Sequence, residues 1–143
     1  MNNLQINDYL KQFRQYYGTY PRDDLPNTIP IDTGVIINTD ISTGDGEHWV
    51  AVYNSQLGAI YFDSFGLPPL HKEIIYFLDH LSPIGWYHNT ITFQGVTSST
   101  CIYCLYFLTN YFNGSDFDNF RSIFSFKQNT NDILINKLYK LGY

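Results

Sequence analysis

The segment CIYCLYFLTNYF, residues 101–112, constrains the fold more than any other part of the chain. Nearly every residue in it is apolar or aromatic, so a helix built from it would be apolar on almost every side. Such a helix has to be buried by neighbouring elements. Ser98, Ser99 or Thr100, directly before it, is able to cap its amino end. The rest of the chain is therefore expected to enclose this helix.

The remaining segments predict a mixture of helices and strands. Helical spacing of Ile6, Leu10, Phe13 and Tyr17 predicts a first helix over residues 3–17, and a proline-containing loop follows at 18–30. Other apolar segments predict strands at 33–39, 48–54, 59–63 and 89–95, and helices at 70–81, 101–112 and 131–141. This order predicts an α+β fold as a single domain, residues 1–143, with the buried helix packed on a small sheet rich in antiparallel pairing.

The strands at 48–54 and 59–63 are joined by a short turn and form a predicted hairpin. If Asn54 pairs with Leu57 around a two-residue turn, His48 falls opposite Asp63. A three-residue turn would offset this pair by one residue. The hairpin therefore predicts that a base and a carboxylate lie close together at one end of the sheet.

Composition and charge exclude several classes of partner. The net charge is −5, and Lys and Arg do not form the clusters that a nucleic-acid groove requires, so nucleic acid is unlikely as the main partner. No apolar stretch approaches the length of a membrane span, and we expect no membrane partner, no metal and no cofactor. Cys101 and Cys104 are the only cysteines, which favours free thiols in a reducing compartment.

Four residues have the chemistry of a thiol hydrolase. Cys101 stands at the first turn of the buried helix, where the helix dipole favours a thiolate and a lowered thiol pKa. His48 would accept the thiol proton, and Asp63 would orient the imidazole. Gln94 would donate a hydrogen bond to an oxyanion, beside the backbone N–H of Cys101.

Each of these residues also has a purely structural interpretation. Cysteine in an apolar helix is usually a small core residue, and Asp63 and Gln94 could belong to ordinary turns. Cys104 is expected to be a core residue, although it is a second candidate for the nucleophile. A redox function for the Cys101 and Cys104 pair would require a preceding βαβ unit, which the sequence does not predict.

Three motifs occur together in an order that resembles the adenovirus-type (adenain-like) cysteine proteases. They are GEHW (46–49), YFDSFG (61–66) and QGVTSSTC (94–101). YYGTYPRDDLP (16–26) and GVIINTD (34–40) are similar to further segments of that family. The wider clan includes the SUMO-specific proteases.

This resemblance implies a papain-like α+β fold with His48, Asp63, Gln94 and Cys101 as catalytic residues, and with Glu47 and Trp49 beside the substrate. It also implies an endopeptidase that cleaves capsid or core precursor proteins near glycine during virus maturation, in the virion and the infected cell. An activating peptide is a further partner of such enzymes. A deubiquitinase or SUMO-protease-like isopeptidase, and a non-catalytic capsid-associated protein, remain as alternatives.

Overall fold

A five-stranded sheet with helices on both faces forms the centre of the protein, as described by a computed structural model for residues 1–46, 48–96 and 98–142. The strands are β1 (Tyr16–Pro21), β2 (Thr33–Asn38), β3 (Trp49–Ser55), β4 (Gly58–Phe62) and β5 (Trp86–His88). The helices are α1 (Asn3–Leu10), α2 (Lys72–Leu81), α3 (Thr100–Phe112), α4 (Phe117–Ser122) and α5 (Gln128–Lys140). Among the helices of these ranges, none combines the length and the apolar character needed to cross a membrane.

The strands follow one another across the sheet in chain order, from β1 to β5. The two central pairings, β2 with β3 and β3 with β4, are antiparallel. The two outer pairings, β1 with β2 and β4 with β5, are parallel. The α+β class is therefore confirmed, but the sheet is mixed and not mainly antiparallel.

Side chains of β3 alternate between the two faces of the sheet, as the pleat requires. Ala51 and Tyr53 face the side on which α3 packs, together with α1, α4 and α5. Val50 and Val52 face the opposite side, which α2 covers. The sheet is consequently buried on both faces, and α3 is enclosed as its apolar sequence predicts.

Aromatic rings hold α3 and α4 against the sheet. The Phe62 ring of β4 stacks on Phe107 of α3, with ring centroids 4.6 Å apart and an interplanar angle of 7°. Phe120 of α4 meets Phe62 edge-on at 5.2 Å, and Phe93 lies 5.5 Å from Phe120. Such offset and edge-on pairs add to the free energy gained by burying the rings.

The predicted first helix is wrong in its second half. α1 ends at Leu10, and Tyr16–Pro21 forms an edge strand paired with β2 instead of a helical turn and a loop. The spacing of apolar residues favoured the helix. Residues 16–21 instead form a strand because they are rich in tyrosine, which favours strands, and because β2 offers hydrogen-bond partners to their backbone.

The predicted strand at 89–95 is also absent, and the fifth strand is Trp86–His88. Residues 89–95 leave the sheet because their backbone and side chains bond to the turn that follows β4. Asn89 bonds to Asp63, and the backbone N–H groups of Phe93 and Gln94 donate to the Ser64 carbonyl. A segment bound in this way is not available for strand pairing.

The hairpin register differs by two residues from the one predicted. Asn54 lies opposite Ala59, and the turn residues are Gln56 and Leu57. A shift of two residues leaves every side chain on its original face, whereas a shift of one would reverse them all. His48 and Asp63, each one residue beyond the ends of β3 and β4, are therefore still close enough to form a hydrogen bond.

We expect Phe62→Ala to lower the free energy of unfolding by about 3–5 kcal/mol, because it removes the ring on which Phe107 and Phe120 pack. Urea unfolding followed by circular dichroism would measure the loss. Leu57→Ala, at a turn position that is 83% exposed, serves as the control and should change stability by less than about 0.5 kcal/mol. A loss below about 1 kcal/mol for Phe62→Ala would contradict the packing described here.

Candidate active site

His48 and Asp63 form a close pair at one end of the β3–β4 hairpin. His48 Nε2 donates to Asp63 Oδ1 at 3.0 Å. The carboxylate is buried, whereas the imidazole is partly open to solvent. The Phe65 ring stacks on the imidazole with centroids 5.6 Å apart. Nε2 is thus bonded to the carboxylate, and Nδ1 is the ring nitrogen that can bind another group.

The turn that carries Asp63 is clamped by the buried side chain of Asn89. Asn89 Oδ1 accepts from the Asp63 N–H at 2.9 Å, and Asn89 Nδ2 donates to the Asp63 carbonyl at 2.6 Å. Asp63 Oδ1 also accepts from the Phe65 N–H at 2.8 Å. Gly66 then takes a positive φ of 73°, and a Cβ there would lie 2.8 Å from the Ile91 carbonyl oxygen. The carboxylate is therefore held rigidly toward His48.

Cys101 occupies the first turn of α3, as predicted. Ser99 is the N-cap, and its Oγ accepts from the Cys101 N–H at 3.3 Å. The backbone donor that was predicted to serve an oxyanion is therefore already engaged by the helix cap. This leaves Gln94 as the side-chain donor of interest.

A hydrogen bond joins the start of α3 to the start of β3. The Trp49 N–H donates to Thr100 Oγ1 at 3.1 Å. Since His48 precedes Trp49 and Cys101 follows Thr100, the bond holds together the two chain segments that carry the imidazole and the thiol. Within the described residues, no hydrogen bond links His48 directly to Cys101.

The side chain of Met1 covers the Cys101 sulfur. Cys101 Sγ donates to Met1 Sδ at 3.4 Å, and Cys101 is 0% exposed. Burial raises the pKa of the Cys101 thiol to about 12, although the Met1 ammonium opposes part of the rise. The prediction of a lowered thiol pKa is therefore wrong for this arrangement, because the loss of hydration under Met1 outweighs the favourable helix terminus.

Gln94 is buried, and both ends of its amide have partners. Its Oε1 accepts from Ser64 Oγ at 2.5 Å, and its Nε2 donates to the Ser98 carbonyl at 2.7 Å. Nε2 carries two hydrogens, and one of them is bonded to the Ser98 carbonyl. Among the described residues the second hydrogen has no acceptor, so it is free to donate near the amino end of α3.

Gly95, next to Gln94, is anchored to α5. Its N–H donates to Asp132 Oδ1 at 2.9 Å, and the same oxygen accepts from Tyr103 Oη at 2.6 Å. A Cβ at position 95 would come within 2.3 Å of Asn129 Oδ1 and 2.8 Å of Asp132 Oδ2, so a larger residue would require these two side chains to move. The Gln94-Gly95 segment is consequently fixed from two sides.

Two cavities are lined by other residues of the candidate site, and neither of them is lined by His48 or Cys101. One, of about 580 Å³, is lined by Met1 and Trp49 together with polar residues that include Asp45. The other, of about 600 Å³, is lined by Phe65, Gln94 and neighbouring residues. Trp49, which the resemblance predicts to contact substrate, lines the first of these cavities. Glu47, predicted to contact substrate as well, lies outside the described residues.

Cys104 is a core residue, as expected. It is fully buried, and its thiol donates to the Trp49 carbonyl at 3.4 Å. Burial raises the pKa of this thiol well above its usual range. Both cysteines are free. Cys104 is thus poorly suited to act as the nucleophile.

Several residues of this site were missed by sequence reasoning. Ser64 stands directly after Asp63 within YFDSFG, so its place in that motif was an available signal. Asn89 and Asp132 are distant in sequence, and only the folded chain brings them to the site. The position of Met1 had no sequence signal. Within the described ranges, no group of three or more His, Cys, Asp or Glu residues could hold a metal ion.

The contact between Met1 and Cys101 makes a prediction about thiol reactivity. Met1→Ala should speed alkylation of Cys101 by iodoacetamide by about tenfold, which corresponds to a fall of about one unit in the thiol pKa. The reason is that the shorter side chain uncovers the sulfur and rehydrates it. The variant would be produced from a removable tag that leaves no extra residue. Mass spectrometry in a Cys104→Ala background would follow Cys101 alone.

Leu4→Ala, at an exposed position of α1, the helix that follows Met1, is the matched control and should leave the alkylation rate unchanged. In the wild-type chain the rate should keep rising between pH 7 and pH 10, because the thiol pKa is raised and the thiolate fraction still grows over that range. Equal rates in Met1→Ala and wild type would show that Met1 does not protect the sulfur.

Comparison with protein-family models finds none that matches this chain. A search of curated protein sequences likewise finds no similar sequence.

Proposed function

We propose that this protein is a cysteine endopeptidase of the adenain-like type, with a papain-like arrangement of its catalytic residues. The observation that carries the proposal is the 3.0 Å His48–Asp63 pair beside the amino end of α3, tied there by the Trp49 to Thr100 hydrogen bond. Cys101 is the next residue on that helix. An oriented base next to a helix-terminal thiol is the constellation that thiol hydrolysis requires.

The hydrogen bonding assigns separate roles to the two imidazole nitrogens. Because Nε2 donates to Asp63, Nδ1 accepts the proton of the Cys101 thiol. The thiolate then forms a bond to the carbonyl carbon of the substrate, and the carbonyl electron pair moves to oxygen. The Asp63 carboxylate stabilises the imidazolium that results.

The oxyanion of this intermediate would accept the free Nε2 hydrogen of Gln94. When the C–N bond breaks, the departing amine takes the proton from His48, and a thioester to Cys101 remains. Water then loses a proton to His48 and attacks the thioester. The C–S bond breaks, the carboxylic acid leaves and the sulfur regains its proton.

The Met1 contact means that this is a closed form of the site. A sulfur that is fully buried cannot reach a peptide, so Met1 has to move before substrate binds. Substrate would then occupy the two cavities lined by Trp49 and by Phe65. We assign the substrates to capsid or core precursor polypeptides cleaved near glycine, during assembly in the infected cell, on the resemblance of the motifs alone.

The buried sulfur and its raised pKa also favour a second candidate, a non-catalytic protein that retains this fold. The two candidates differ in one property. A protease must form a covalent adduct between Cys101 and an electrophilic peptide in a reaction that depends on His48, whereas a non-catalytic protein need not.

The central test compares cleavage of fluorogenic peptides by wild type, Cys101→Ala and His48→Ala. The peptides should include capsid-derived sequences that contain glycine, and a ubiquitin-type peptide, which tests the isopeptidase alternative. We expect both variants to lose activity by at least about 10³-fold, since each removes a reacting group. Cys104→Ala is the matched control and should keep most of the activity.

A folded Cys101→Ala variant, verified by circular dichroism, that cleaves as fast as wild type would refute the proposal. Wild-type protein that cleaves no peptide and forms no adduct with a peptide vinyl sulfone would favour the non-catalytic candidate. Preferential cleavage of the ubiquitin-type peptide would move the assignment to an isopeptidase.

Asp63→Asn should have a smaller effect than either of those variants. The amide retains an oxygen but loses the charge that orients and stabilises the imidazolium, so we expect kcat to fall by about 10²-fold, the scale of a misplaced catalytic group. Steady-state kinetics would measure this loss. A loss as large as that of His48→Ala would indicate that Asp63 has a role beyond orientation.

A further inference from the structure

Ser64 is the buried residue between Asp63 and Phe65, and it has no role in the steps above. Its side chain bonds to Gln94, where Ser64 Oγ donates to Oε1 at 2.5 Å. Its carbonyl accepts from two successive backbone N–H groups, those of Phe93 at 2.9 Å and Gln94 at 3.2 Å. Three hydrogen bonds therefore connect Ser64 to the segment that carries the amide.

We propose that Ser64 is a positioning residue that sets the orientation of the Gln94 amide, so that the turn at Asp63 and Ser64 aligns both the general base and the oxyanion donor. This inference rests on the proposed function. It adds a residue to the reaction: Asp63 acts on His48, and its neighbour Ser64 acts on Gln94.

The orientation matters because an amide has two nearly isosteric ends. With Oε1 bound to the Ser64 hydroxyl and one Nε2 hydrogen bound to the Ser98 carbonyl, the other hydrogen is the only group that the amide has left to donate. A flipped amide would set Nε2 against the hydroxyl and Oε1 against a carbonyl oxygen, and two acceptors would then face each other. The Ser64 hydroxyl is thus half of the pair of contacts that selects the productive orientation.

The orientation of the Gln94 amide is more important because the backbone N–H of Cys101 already has a hydrogen-bond partner. The Cys101 N–H is bonded to Ser99 Oγ, so an oxyanion would depend more on the second Nε2 hydrogen of Gln94. The bond from the Gly95 N–H to Asp132 fixes the main chain beyond Gln94 and does not involve the amide. Within the part of the chain that the structure describes, Ser64 and Ser98 alone hold the amide group.

The test separates oxyanion stabilisation from thiol reactivity with two probes. Iodoacetamide alkylates Cys101 without forming an oxyanion. A peptide aldehyde, acetyl-Leu-Gly-Gly-aldehyde, forms a tetrahedral hemithioacetal whose oxygen uses the oxyanion donor. We expect Ser64→Ala to weaken aldehyde binding by about tenfold, less than the roughly 10²-fold loss expected when a donor itself is removed.

The alkylation rate of Ser64→Ala should stay within about twofold of wild type. The double variant Ser64→Ala/Gln94→Ala should bind the aldehyde as weakly as Gln94→Ala alone, because a positioning residue has no effect once the positioned group is gone. Ser55→Ala, whose hydroxyl donates to the Gly58 carbonyl at the far end of the same hairpin, is the matched control and should bind like wild type. The Met1 cover is the same in all these variants, so it cancels in the ratios.

Aldehyde binding by Ser64→Ala equal to that of wild type would overturn the inference alone. So would an equal loss of alkylation, which would indicate a general structural role, or a full additional loss in the double variant. Absence of any aldehyde adduct in the wild-type protein would instead refute the proposed function, and the role of Ser64 with it.

Discussion

The packing of α3 against β3 is the constraint on which the candidate site depends. The helix is apolar on almost every side, so it is stable only when the sheet and the other helices enclose it. Trp49 bonds to it twice, through its N–H to Thr100 and through its carbonyl to Cys104. Enclosing the helix therefore also places its first turn beside the strand that begins after His48, and the proposed chemistry depends on this packing.

The turn after β4 gives this site its second fixed element. Asn89 binds both backbone groups of Asp63, and Gly66 allows the chain to pass close to Ile91. The loop at 89–95 was expected to be a strand, and it leaves the sheet because it satisfies its polar groups on this turn. The same bonds that end the sheet thus place a carboxylate on the imidazole and a serine on the Gln94 amide.

Sequence reasoning located correctly the helices and strands whose apolar residues can be buried in only one way, against the core. α2, α3 and the three central strands have apolar faces that only a core can satisfy, and their bounds were close to those observed. The second half of the first helix failed because Tyr16–Pro21 has a partner in β2 that local spacing does not reveal. The hairpin register was wrong by two residues, yet the His48–Asp63 contact survived, since a shift of two preserves the face.

Sequence by itself determined the residue types of the site and their order along the chain, because a thiol at a capped helix end and a histidine and aspartate at one end of a hairpin are local features. Only the tertiary structure decided how they are used. It covered Cys101 with Met1 and raised the thiol pKa, and it held the Gln94 amide between Ser64 and Ser98 with one Nε2 hydrogen free. These outcomes depend on burial and on contacts between residues far apart in the chain, which no local pattern encodes.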